Sequence, residues 1–376
     1  MHNEYSYERY QRQIILKDFG GAGQLKLTQA KVLVVGAGGL GCPALLYLAA
    51  AGVGTIGVVD DDVVELGNLH RQPLFTTNDI GQSKATTAAA YLELLNPDIS
   101  IIPYTKRLLS ANSPEIVGEY DIIIDATDNF ASRYMINDLC VLLNKPLIFG
   151  AVSQYEGQLA VFNLRNKEEN LVIHYRDLFP LPPDPGEVLS CAEAGVLGVL
   201  PGIIGTMQAA EAIKLITGIG QPLVNNLYIF NVLNNQSIEL ELQKRKDSDA
   251  LIPANIETFR QTDYDWLCGR INNPLEISID QFVTMLDDDN IEVIDVREPD
   301  EMPQAIGFNY KKIPLSKLEE STHGYEKEMV IFFCQSGLRS NKAAQWLQAR
   351  NGNKKTIFSL RGGILNYVKQ QQEQKS

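Results

Sequence analysis

Apolar residues in this chain come in short runs of four or five, separated by glycine-rich or acidic turns. Lys31-Val-Leu-Val-Val35 is β-branched at positions 32, 34 and 35 and predicts a buried strand. Gly36 to Gly41 reads as a turn, Pro43 to Ala51 as a helix, and Gly52 as its stop. Thr55 to Val59 predicts the next strand, which ends in Asp60-Asp61-Asp62. Together these make a βαβ unit of the size of a nucleotide-binding half. Further strands are predicted at Tyr120 to Asp125 and Pro146 to Phe149, with a helix over Ser132 to Leu143. Thr206 to Thr217 predicts another helix, closed by Gly218, followed by late strands at Leu227 to Phe230 and Ser237 to Leu242. The stretch 246–275 is polar and reads as a linker. Beyond it, Glu292 to Asp295 and Met329 to Phe333 predict strands, and Ser340 to Ala349 a helix. Alternating strands and helices predict an α/β fold: a Rossmann-like, mostly parallel sheet with helices on both faces, plus a second small α/β domain. The expected divisions are 1–245, a linker at 246–275, and 276–376. Val32 to Val59 carries no charge and is long enough to span a bilayer, but its clustered glycines and Pro43 fit strand, turn and buried helix instead.

Charge narrows the partners. The 376 residues hold 33 basic and 46 acidic side chains, a net charge of −13. That balance argues against a nucleic-acid or anionic-membrane partner, both of which need a basic footprint. Five cysteines without framework spacing suggest free thiols in a reducing cytoplasm. Met1 to Arg12 is polar, so no targeting segment is expected there.

The turn Gly36-Ala-Gly38-Gly39-Leu-Gly41 lies between a strand and a helix, where glycines let backbone N–H groups approach phosphate. Asp60 ends the following strand, where a carboxylate can accept from ribose hydroxyls. These two features alone admit a dinucleotide dehydrogenase. Asn68-Leu-His-Arg71-Gln and Gly-Gln-Ser-Lys84-Ala then add cations suited to a leaving pyrophosphate. Asp128-Asn129 follows a strand, and Asp128 is a candidate magnesium ligand.

Arg12-Gln-Ile-Ile-Leu, GAGGLG, VVDDDVVELGNLHRQ, GQSKA and DATDNF, in that order, resemble the MoeB/ThiF family, relatives of ubiquitin-activating enzymes. The resemblance covers about the first 245 residues. It implies ATP-dependent adenylation of the C-terminal glycine of a small ubiquitin-like sulfur carrier ending in Gly-Gly. It assigns Arg12, Arg71 and Lys84 to the triphosphate, Asp60 to ribose and Asp128 to magnesium. Gly36, Gly38, Gly39, Gly41, Asn68 and Asn129 complete the expected nucleotide site. In the family the arginine of the NLHRQ segment reaches into a partner subunit's site, which implies a homodimer. It also places a cysteine, here Cys191, in a segment with thioester or disulfide roles; a buried packing role is the alternative. Relatives carry zinc on two Cys-x-x-Cys pairs. The matching segments here read His174-Tyr-Arg-Asp177 and Asp265-Trp-Leu-Cys268, so zinc is not expected.

Cys334-Gln-Ser-Gly-Leu-Arg339-Ser, between a strand and a helix, is a small loop of N–H groups that can stabilise a thiolate or persulfide. With Ile-Asp-Val-Arg297-Glu-Pro and Leu-Arg-Gly-Gly363, it resembles a rhodanese sulfurtransferase over about residues 276–370. The Met302 to Pro314 stretch lacks that family's histidine-glycine-alanine run. Together the two resemblances imply that one domain activates a carboxylate and the other supplies sulfur, received from a donor such as a cysteine desulfurase. Molybdopterin synthesis is the favoured pathway, with thiamin synthesis or tRNA thiolation as alternatives. An NAD-dependent dehydrogenase and a non-catalytic nucleotide-binding protein stand as readings of other classes.

Overall fold

The computed structural model describes residues 4–164, 172–183, 194–268, 275–286, 288–303, 307–318, 325, 327–351 and 355–373. The chain forms two compact units, 1–261 and 262–376.

The first unit opens with helices α1 (Glu4–Ile14) and α2 (Gly20–Gln29). A βα alternation follows: β1 (Lys31–Val35), α3 (Gly41–Ala51), β2 (Thr55–Val59), α4 (Lys84–Leu95), β3 (Ser100–Tyr104), α5 (Ser113–Gly118), β4 (Ile122–Asp125), α6 (Phe130–Leu143) and β5 (Leu147–Ser153). Then come β6 (Glu156–Phe162), α7 (Tyr175–Leu178), α8 (Val199–Thr217), β7 (Asn226–Asn231), β8 (Gln236–Glu241) and α9 (Ile256–Arg260). The sheet order is β3-β2-β1-β4-β5-β6-β7-β8. The first five strands are parallel, and β6 to β8 continue antiparallel. Val32, Leu33 and Val34 of β1 are fully buried, which is why that strand reads as an unbroken apolar run. Helix α3 stops at Gly52 and α8 at Gly218, both left-handed, with φ of 85° and 79°.

Helix α8 is long and apolar enough to cross a membrane by composition. Within this unit it packs on α3, β5 and β6, with Leu200, Ile204, Ala209 and Ala212 buried. Gln208 donates to the carbonyls of Asp125 (2.7 Å) and Ile148 (3.3 Å) and so pins the helix to the strand ends.

Part of the stretch read as a linker is packed onto the first unit. Phe259 is fully buried, the Arg260 guanidinium donates to the Ala111 carbonyl at 2.7 Å, and it also pairs with Glu115. One buried phenylalanine contributes about 1.5–3 kcal/mol, enough to hold a short polar segment down.

The second unit contains α10 (Tyr264–Leu267), β9 (Glu276–Ile277), α11 (Ile279–Met285), β10 (Ile291–Asp295), β11 (Lys311–Lys312), β12 (Met329–Phe333), α12 (Leu338–Asn351), β13 (Thr356–Leu360) and α13 (Gly363–Glu373). Its sheet, β11-β10-β12-β13-β9, is parallel throughout. Apolar clusters cover both faces, one around Phe282 and Phe333, the other around Phe332 and Leu347.

Candidate active sites

Strand register builds the first site. Val35 of β1 is level with Val59 of β2 and with Asp125 of β4. Gly36, Asp60 and Ala126 therefore leave the sheet side by side at its carboxyl edge. Because β2 and β4 flank β1 on opposite sides, this edge is the topological switch point, where open α/β sheets bind ligands.

The glycines of the loop serve different ends. Gly36 has φ of 101°, and a Cβ there would lie 2.7 Å from the Ala126 carbonyl. A Cβ on Gly41 would lie 1.8 Å from the Gly36 carbonyl, and one on Gly39 3.0 Å from Pro201. Gly36 and Gly41 are required by close backbone approach at the turn, and Gly39 by Pro201 of α8 packed against it. Gly38 faces open space, with only the Gln72 amide within 3.7 Å of where a Cβ would be. It is the glycine of the loop with open space beside it, as the expected phosphate would need.

Asp60 braces this loop. Its carboxylate accepts from the Ala37 N–H at 2.7 Å and from the Asp62 N–H at 2.9 Å. Burial pushes the Asp60 carboxyl above the usual aspartate range, with Lys84 opposing. The carboxylate, not its protonated form, is what the expected ribose contact needs. The KM for ATP is thus expected to rise as the pH falls through this elevated value. Asp60→Asn is expected to remove that pH dependence in pyrophosphate-exchange assays.

Lys84 starts α4 and is 5% exposed. Its Nζ donates to Asp62 at 3.0 Å, and its N–H to the Asp62 carbonyl at 3.0 Å. Asp62 was not singled out from the sequence; it reads as one of three consecutive aspartates, and only the pairing of residues 62–64 with 81–84 distinguishes it. Arg71 is half-buried, and its guanidinium donates to the Gly67 carbonyl (2.9 Å) and to the His70 ring (2.8 Å). The carbonyl of Arg71 lies 3.4 Å from the Cβ position of Gly39 in the same chain. The Asn68 amide oxygen accepts from Glu65 N–H and closes a short turn. Asn129 caps α6 by accepting from Ser132 N–H at 2.9 Å. Asp128 is exposed beside it. Asp125, fully buried, accepts from the Thr127 N–H and hydroxyl and so shapes the turn that presents Asp128. Arg12 is exposed on the last turn of α1. Cys191 lies outside the described residues.

A donor set of one carboxylate with phosphate oxygens is ordinary for magnesium, and Asp128 fits it. The zinc comparison ends differently. His174 and Asp177 do come together, and their partners within the first unit are Lys244, Ser248 and Asp249. Asp265 and Cys268 lie on α10 and just beyond it, in the second unit. The His174 ring donates to Asp249 at 2.9 Å, and Lys244 Nζ donates to both Asp177 (3.2 Å) and Asp249 (2.7 Å). Asp177 also accepts from the Ser248 hydroxyl and from Arg245 N–H. An ammonium between two carboxylates and a single imidazole is not a zinc donor set. Chelators are expected to leave the urea midpoint unchanged. Lys244→Ala is expected to lower stability by about 1–2 kcal/mol, because buried Asp177 loses a charged donor. A midpoint that drops on chelation would show that a metal, not Lys244, holds this corner.

The second site is a thiol cradle. Cys334 follows β12 and is 1% exposed. Gly337 N–H donates to its Sγ at 3.1 Å, and the Ser340 hydroxyl lies 3.5 Å away. Gly363 has φ of 61°, and a Cβ there would lie 2.4 Å from the Cys334 carbonyl. Ile364 N–H donates to that same carbonyl at 2.8 Å, so α13 packs directly on the loop. Arg339 belongs to the loop but pairs with Glu301, a residue the sequence reading did not single out. Cys42 and Cys140 are buried packing residues; burial pushes Cys42 up to about 12 and raises Cys140 as well.

The chain is similar to known proteins over both units. The ThiF family model matches residues 10–251, and the rhodanese-like domain model matches residues 278–370. The chain is 48% identical to a sulfur carrier protein adenylyltransferase of Thermus thermophilus over 263 residues, covering 70% of this chain and 96% of that one. It is 39% identical to a probable adenylyltransferase/sulfurtransferase, MoeZ, of Mycobacterium tuberculosis over 380 residues, covering 97% and 93%. Among solved structures, PaaA superposes with a TM-score of 0.52 at 26% identity, covering 65% of this chain and 75% of that one. MccB of E. coli superposes with a TM-score of 0.54 at 22% identity, covering 65% and 74%, a likeness of fold.

Proposed function

The chain belongs to the ThiF family and carries a rhodanese-like domain behind it, and from that premise we propose that it activates and then sulfurates a small ubiquitin-like carrier protein ending in Gly-Gly. It is an adenylyltransferase and sulfurtransferase. In the first step the carrier's terminal carboxylate attacks the α-phosphorus of ATP. Pyrophosphate leaves, and an acyl-adenylate remains. Positioning and charge stabilisation carry this step, without a protein nucleophile. Gly38 leaves room for phosphate, Asp60 holds the ribose, and Lys84, Arg71 and Arg12 meet the triphosphate. Asp128 would hold magnesium, which neutralises phosphate charge. In the second step a persulfide on Cys334 attacks the acyl carbon and releases AMP. Cleavage of the resulting acyl disulfide by a second thiol leaves the thiocarboxylate, and Cys191 is the sequence candidate for that thiol.

One observation supports this reading above the others. A single chain carries both a nucleotide-type strand edge bearing Lys84 and a Cys334 sulfur held by loop donors. Neither a dehydrogenase nor a non-catalytic nucleotide binder has a use for the second. Molybdopterin synthesis, a cysteine desulfurase as sulfur donor, a homodimer and a cytoplasmic setting complete the proposal. The test is pyrophosphate exchange with a panel of purified carriers ending in Gly-Gly. One carrier should stimulate exchange strongly and then acquire one sulfur atom by mass. ATP binding without exchange for every carrier would leave only the non-catalytic reading.

A further inference from the structure

The loop from Cys334 to Ser340 contains one charged side chain besides the cysteine, Arg339. That guanidinium is already engaged. Its two terminal nitrogens donate to the two oxygens of Glu301, each at 2.5 Å, a bidentate pair. Glu301 is itself placed by accepting from Glu298 N–H at 2.8 Å, and the Glu298 carboxylate takes the Ser316 hydroxyl at 2.9 Å. The neighbouring guanidinium, Arg297, is fully buried and locked in the same bidentate way to Asp295. Among the described residues, the donors that reach Sγ are therefore neutral: the Gly337 N–H and the Ser340 hydroxyl. The one Ser340 proton has a second acceptor in the Gly337 carbonyl at 2.9 Å, and the Ser340 oxygen accepts from the Ser359 hydroxyl.

This has a consequence for sulfur donors. A small anionic donor such as thiosulfate brings two negative charges toward a thiolate. The thiolate attacks the sulfane sulfur, the S–S bond breaks, and sulfite leaves with the electron pair, giving Cys334–S–S⁻. That approach needs an available cation near Sγ. A neutral persulfide, R–S–SH, needs none. The thiolate attacks the outer sulfur, R–S⁻ leaves with the pair, and Cys334–S–SH results. We propose that Glu301 is a specificity-determining residue: by neutralising Arg339 it sets the Cys334 loop against small anionic sulfur donors and toward persulfides. The proposal rests on the reading of Cys334 as the sulfur carrier. Here discrimination comes from withholding an attraction the wrong donor requires.

The experiment uses the full chain with cyanide as acceptor and two donors, thiosulfate and a neutral alkyl persulfide. Glu301→Gln is expected to raise kcat/KM for thiosulfate by about tenfold or more while changing that for the alkyl persulfide by less than about threefold. Glu301→Asp keeps the charge and is expected to leave the ratio of the two donors near that of the parent. An unmoved ratio in Glu301→Gln, or an equal rise in Glu301→Asp, overturns the role of Glu301. A second measurement needs no variant. Sulfate is expected to inhibit the parent's alkyl-persulfide reaction weakly, and strong competitive inhibition overturns the proposal. If no donor adds sulfur to Cys334 of the parent chain by mass, the sulfur-carrier reading itself fails, a result distinct from an unmoved ratio.

Discussion

Lys84→Ala is expected to lower carrier-dependent pyrophosphate exchange by about 10²–10³-fold, the usual cost of removing one preorganised stabiliser of developing charge. Negative charge builds on the leaving pyrophosphate, and Lys84 is a 5% exposed ammonium at the start of α4, beside the glycine loop's strand edge. Buried placement strengthens its field relative to a surface lysine. The variant should still fold. The ammonium's partner Asp62 is 70% exposed in its side chain, so losing the pair leaves that carboxylate in water. The backbone bond from Lys84 N–H to the Asp62 carbonyl survives any side-chain change. Lys84→Arg restores charge but not shape, and is expected to recover only part of the rate. The decisive pair of measurements is exchange rate and thermal midpoint. Exchange near the parent rate, with the fold intact, removes Lys84 from the triphosphate site.

Lys84 also shows where the sequence was legible and where it was not. Its place after Asp60 could be read from motif order, because motif order follows strand order in a βα alternation. Its pairing with Asp62 could not. That contact depends on residues 62–64 running antiparallel to 81–84, a loop-on-loop pairing with no periodic signature. The same division holds across the fold. β1, β2 and β12 match the sequence reading to the residue, since strands buried on both faces are written as continuous apolar runs. β3 went unread: its pattern is exposed at three of five positions and includes Pro103, as suits an edge strand. The polar stretch 246–275 reads as a linker by composition, yet Ser248, with Lys244 just before the stretch, closes on Asp177, and Phe259 is buried. Composition reports average polarity. It does not report a single buried ring or an ammonium that finds two carboxylates. Glu301 was missed for a similar reason. It lies 38 residues from Arg339, and only the fold brings the two together.

Cys334→Ala is expected to abolish thiosulfate:cyanide and persulfide:cyanide sulfur transfer while leaving carrier-dependent pyrophosphate exchange within about twofold of the parent. Loss is expected to be complete because the Gly337 N–H of the loop is aimed at the Cys334 Sγ, and alanine leaves no sulfur there. Removing a sulfur atom from a packed site leaves a small void and costs on the order of 1 kcal/mol, so the unit should remain folded. The loop has support independent of the thiol. Ser340 keeps its bonds to the Gly337 carbonyl and to Ser359, and Ile364 N–H still holds the residue-334 carbonyl. Exchange is spared because the residues assigned to ATP all belong to the first unit and Cys334 to the second. The carrier should therefore accumulate as acyl-adenylate, visible by mass, and never gain sulfur. Sulfur transfer retained in Cys334→Ala would move the sulfur-carrying role to another cysteine. Loss of exchange in the same variant would show that the two chemistries are coupled before any sulfur moves.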